Sequence, residues 1–184
     1  MSGTGRIEIK NELRGVSGWL MFAVLYLFLT GLGNVYLAFV SLNSSDPSPL
    51  ALPFPYMAAK AIAAMGFAVF GWYCAIRLAS EKPNAPKVTI AYYGILLGVT
   101  SFFALVSYST IRSLAAEAGF DSFVYETRTI PIMFQLIGVG AECIIWMMYF
   151  SKSKRVKNTY SLNNVEAQSS RAELAAAPSL TGDK

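Results

Sequence analysis

Ser17–Leu42 reads SGWLMFAVLYLFLTGLGNVYLAFVSL, a run without a single charged residue. At ~1.5 Å per residue, about 20 residues of helix cross a hydrocarbon core of ~30 Å, and this run is longer than that. It is also too long for the apolar part of a signal peptide, and no convincing small-residue cleavage site follows it. It is therefore expected to be a spanning helix that also anchors the chain.

Three similar runs follow. Asn43–Pro55 (NSSDPSPLALPFP) holds four prolines and cannot continue a helix, so it reads as a compact loop. The runs about 56–79, 88–111 and 130–150 are again long and apolar, giving four predicted spans with 17–42. EKPNAPK (81–87) is a short polar link between the second and third. Arg112–Thr129 mixes apolar and acidic residues and reads as a short amphipathic helix and turn on the membrane surface. Pro131 is expected in the first turn of the last span, where its missing N–H does no harm. Only 14% of the residues are charged, against about 25% in soluble proteins, too few to coat a soluble exterior of this size.

Lys and Arg set the expected orientation. Arg6, Lys10 and Arg14 precede the first span; Arg77, Lys82 and Lys87 lie around the 81–87 link; Lys152, Lys154, Arg155 and Lys157 follow the last span. The opposite side carries only Lys60, Arg112 and Arg128. The positive-inside rule thus predicts an all-α, N-in/C-in bundle of four transmembrane helices. The expected organisation is a cytoplasmic segment 1–16, a transmembrane domain 17–150, a basic juxtamembrane segment 151–160 and a disordered cytoplasmic tail 161–184. Residues 1–16 show helical spacing of Ile9, Leu13 and Val16, as a short interfacial helix would. The tail lacks aromatic residues and cannot bury enough surface to offset its ordering entropy. The basic run 152–157 fixes topology and meets lipid headgroups.

Chemistry is constrained by what is missing. There is no His, which excludes imidazole ligation and Ser-His or Cys-His catalysis. Cys74 and Cys143 lie inside apolar runs without C-x-x-C spacing and read as small hydrophobes. No metal-ligand cluster, P-loop or paired carboxylate appears, so neither metal nor cofactor is expected, and the chain does not read as an enzyme. The basic residues sit beside apolar runs, which assigns them to the lipid bilayer and not to nucleic acid.

One ionisable residue lies deep. Glu142 is about eight residues from the end of the last span, ~12 Å in, where a charged carboxylate costs at least ~2.5 kcal/mol. The neutral acid is the form expected there. Helical stepping puts Gln135, Gly138, Glu142, Trp146 and Tyr149 on one stripe, expected to face the bundle. Tyr26 has a similar depth and is a candidate partner. Two readings stay open: a neutral carboxyl hydrogen-bonding a neighbouring helix, and a group that exchanges protons or cations. Asn34 and Gln135 are expected to hydrogen-bond across helices in the other half. Lys60 is expected to snorkel outward, and Gly94-x-x-x-Gly98 to allow close helix approach.

Gly15-Val-Ser-Gly-Trp-Leu20, containing Gly18 and Trp19, opens the first span, and Trp146-Met-Met-Tyr-Phe150 closes the last. Ser153, Arg155, Val156 and Thr159 follow, with Tyr160 as an aromatic. With Trp146, Tyr149 and Phe150 they make the chain resemble the small bacterial inner-membrane proteins of domain-of-unknown-function family 2569, the YdgK-like proteins, over roughly residues 12–160. That resemblance implies a four-span protein of the bacterial cytoplasmic (inner) membrane and supplies no reaction. The leading expectation is an accessory or scaffold protein packing as a homo-oligomer or with another membrane protein. The alternatives are a transporter or channel component using Glu142, and a membrane sensor.

Overall fold

The computed structural model describes residues 18–43, 51–119 and 122–160, and among them the regular secondary structure is all helix, with no strand. The helices are α1 (Trp19–Asn43), α2 (Phe54–Ala79), α3 (Ala85–Glu117), α4 (Ser122–Lys152) and a short α5 (154–160). The first four each hold a segment long and apolar enough to cross a membrane. The expectations for residues 1–16, the loop residues 44–50 and the tail 161–184 fall outside the described residues.

Local chemistry sets the helix ends. Pro53 precedes α2 and Pro55 lies in its first turn, where an N–H has no partner to lose. α2 ends on a paired cap: Glu81 N–H donates to Leu78 O at 3.1 Å and Lys82 N–H to Arg77 O at 3.1 Å. Glu81 holds the left-handed φ of 51° that this cap requires, a position usually given to glycine. The α3–α4 connection corrects the expectation for 112–129. α3 continues to Glu117 and α4 begins at Ser122, so a turn through Gly119, at φ 68°, replaces the surface helix. Both helices simply overrun the apolar stretch. Pro131 consequently sits inside α4 and not in its first turn.

α1 packs chiefly on α2 and α3 on α4, so the bundle is two helical hairpins joined through α2 and α3. Gly18 and Arg155 touch, so the start of α1 and the end of α4 share one end of the bundle, hereafter the termini end. The other is the loop end. The core is concentrated toward the termini end, where Leu20, Leu27, Leu78, Tyr92, Tyr93, Cys74 and Cys143 are almost completely buried. Ile62 and Phe134 are 74% and 71% exposed, as side chains facing lipid must be.

The small-residue contacts differ from expectation. A Cβ at Gly94 or Gly98 meets nothing within 4 Å, and both glycines lie on an exposed face. The close approach occurs instead at Gly31, where a Cβ would run into the Trp72 indole. Trp72 Nε1–H crosses that contact and donates to Phe28 O at 3.1 Å. The missing side chain lets a large ring lie flat on the α1 backbone, the kind of close packing that holds helices together without water to expel.

Candidate functional site

Glu142 stands on the wall of a groove between α1 and α4 in the termini half. Trp19, Phe22 and Tyr26 recur at helical spacing on α1, and Gly138, Glu142, Trp146 and Tyr149 face them from α4. The groove encloses about 660 Å³ and is open along one side. Trp146, only 8% exposed, organises it. Its ring stacks on Phe22 with centroids 6.1 Å apart, lies 5.3 Å from Tyr26, and packs nearly parallel to Tyr93 at 6.4 Å and 11°. Gly138 supplies width, since nothing lies within 4 Å of where its Cβ would be.

The Tyr26 hydroxyl faces the Glu142 carboxyl across the α1–α4 seam. The carboxyl oxygen Oε1 is buried and has no hydrogen-bond partner among the described residues. A buried acceptor left open is unusual and marks a place where a proton or a ligand completes the set. Of the predicted stripe, Gly138, Glu142, Trp146 and Tyr149 do line one groove, while Gln135 lies higher, facing a different space.

That second space is a cavity of about 110 Å³ in the loop half, lined by all four helices. Asn34, Lys60 and Gln135 contribute polar groups to it. Among the described residues the Asn34 amide nitrogen is buried without a partner, so the expected bond to a neighbouring helix is not made through it there. Lys60 is half-buried and lines the cavity. The α2–α3 wall is tied by Tyr56: its hydroxyl donates to Phe103 O at 2.9 Å and contacts Ser107 Oγ.

A third cluster joins the two ends of the chain's apolar region. The helix breaks at Ser153, whose Oγ accepts from Val156 N–H at 3.4 Å, a capping contact that restarts it as α5. α5 turns Val156, Thr159 and Tyr160 inward, all buried, and leaves Lys154 and Lys157 exposed. Tyr160 donates to Leu78 O at 2.8 Å. Arg155 lies over Gly18, its Nη1 3.2 Å from where a Cβ would be. Gly18 takes φ 58° there. Segment 151–160 is thus a docked element, and only Lys152, Lys154 and Lys157 behave as a solvated basic face.

The chain matches, over residues 13–161, the family model described as "Protein of unknown function (DUF2569)". The chain belongs to the DUF2569 family. No curated protein and no solved structure shows significant similarity to it. In this DUF2569 chain the residues that carry the resemblance collect at the termini end. Gly18, Arg155 and Val156 form the α5 dock, Ser153 caps it, and Trp19, Trp146 and Tyr149 line the groove, with Phe150 buried beside them. Gly15 lies outside the described residues. Among the described residues no group of three or more His, Cys, Asp or Glu side chains is placed to hold a metal.

Sequence reasoning missed Tyr92, Tyr93 and Trp72, and it named Tyr160 only as a motif aromatic, without its dock on α2. Each sits in or beside an apolar run where lipid-facing and core-facing aromatics look alike. The one available signal was Ser153 followed by an amphipathic Arg-Val-Lys-Asn-Thr-Tyr pattern, a helix start with two faces.

Proposed function

We propose that this chain is a multi-pass protein of the bacterial cytoplasmic membrane, termini inside, that binds a lipophilic cation at Glu142 and serves as a transporter component. The observation that carries this reading is the open carboxyl oxygen of Glu142 in an aromatic-walled groove. Aromatic faces attract cations by ~0.5–2 kcal/mol each, more when water is excluded, and a carboxylate supplies the counter-charge. With its proton the carboxyl is neutral and suits the bilayer; without it, a bound cation compensates the charge. One site then holds either a proton or a cation, and exchange between the two couples their movement.

The accessory or scaffold reading rests on a different observation. Tyr26 and Glu142 face one another on separate helices, as a structural cross-link would.

Glu142→Gln separates the two. It keeps size and hydrogen bonding and removes the exchangeable proton. Tetraphenylphosphonium binding to the purified protein is expected in the parent, weaker at lower pH through proton competition, and absent in the folded Gln variant. Equal binding in both, or none in the parent, would leave the cross-link reading. Under that reading Glu142→Ala alone weakens the protein, by ~1–2 kcal/mol.

A further inference from the structure

We infer that the loop-half cavity is a binding site for a small monovalent anion, of halide or short carboxylate size, held by Lys60 with Asn34 and Gln135. The site lies on other residues than the Glu142 groove and stands independently of the cation reading.

Lys60 is less than two helical turns inside α2, roughly 9 Å from its start at Phe54. Ionisable groups at such depth face the bundle interior and pair with one another or with a ligand. The Lys60 side chain lines the space between the four helices, so its ammonium lies within reach of a ligand held there. No carboxylate among the described residues lines that space. Among the described residues Lys60 has no ion-pair or hydrogen-bond partner.

The neutral lining groups point the same way. The Asn34 amide nitrogen is a buried donor without an acceptor among the described residues. Gln135 offers a second amide from the opposite hairpin. The Tyr56 hydroxyl and the Ser107 Oγ are already spent on Phe103 O, at 2.9 and 2.8 Å. Among the described residues an ammonium, two side-chain amides and the Thr100 hydroxyl are left around a common space, a set of donors that complements an acceptor carrying negative charge. The volume of about 110 Å³ matches three or four waters at ~30 Å³ each. Chloride, nitrate, formate or acetate fits; a sugar acid does not.

The test is a titration of the purified full-length protein in detergent at constant ionic strength. Sodium nitrate and formate are the probes, gluconate is the oversized control, and melting temperature and calorimetry are the readouts. Saturable stabilisation by nitrate or formate, and none by gluconate, is expected. Lys60→Met removes a charge from the membrane and should insert at least as well as the parent. Its anion binding is expected to weaken at least about tenfold, as loss of a charge-assisted bond implies, while Lys60→Arg retains binding. Asn34→Leu removes the amide donor without touching the lysine and is expected to weaken binding as well. Unchanged binding in Lys60→Met, an equal response to gluconate, or no saturable response to any small anion would overturn the assignment.

Discussion

Tyr160 offers a direct measure of whether α5 is a docked part of the bundle. Its ring is 3% exposed and its hydroxyl donates to Leu78 O at 2.8 Å. Leu78 O also accepts from Glu81 N–H, so removing the tyrosine hydroxyl leaves no orphaned carbonyl. Tyr160→Phe should therefore cost only the net worth of one bond, ~1 kcal/mol, and not the larger desolvation penalty. Tyr160→Ala also empties a buried aromatic site, for ~3–5 kcal/mol. A helix of this length does not persist in water unaided, so undocking and melting of α5 are one event. Hydrogen exchange of the 154–160 amides then reads docking directly. Exchange should quicken about 5-fold in Tyr160→Phe and approach the unprotected rate in Tyr160→Ala. Unprotected amides in the parent, or an Ala variant that exchanges like the parent, would refute the dock. Alkaline pH supplies a second handle. Burial, reinforced by Glu81, raises the Tyr160 phenol above its ordinary value. The docked form therefore holds its proton more tightly than the free one, which titrates near pH ~10. Docking should be complete below that pH and decline as pH rises through it toward the raised value. A spin label on Lys157→Cys should gain mobility over that range, and Tyr160→Phe should abolish the alkaline onset.

Gly31→Ala drives a methyl into the Trp72 indole and should cost ~1–3 kcal/mol, whereas Gly94→Ala and Gly98→Ala, with open space around them, should be neutral or stabilising by up to ~1 kcal/mol. Melting temperatures in detergent check the contrast, and a Gly31 variant as stable as the Gly94 one would remove the close-packing assignment. Orientation is testable by impermeant thiol labelling of intact cells after both native cysteines are replaced. Ser45→Cys and Asp121→Cys should react from outside, Asn84→Cys and Ser169→Cys only after permeabilisation, and external labelling of Asn84→Cys would invert the proposed topology.

The sequence by itself determined four apolar helices long enough to span a bilayer, because hydropathy is a sum over contiguous residues and needs no knowledge of neighbours. It also singled out Glu142, since one carboxyl in a run without charge is conspicuous wherever its helix points. Helix ends were less legible. α3 and α4 run past their apolar stretches because backbone hydrogen bonding continues after hydropathy stops, and only Gly119 ends the run. Depth along the helices also named Tyr26 as a partner for Glu142, but tertiary structure alone decided the other meetings: Trp72 on Gly31, Tyr160 on Leu78, and Lys60 with Asn34 around one cavity. In water a helix declares its inner face, since the outer one must be polar. In a bilayer both faces are apolar, so the periodicity that would have told Gly31 from Gly94 is absent, and only packing distinguishes them.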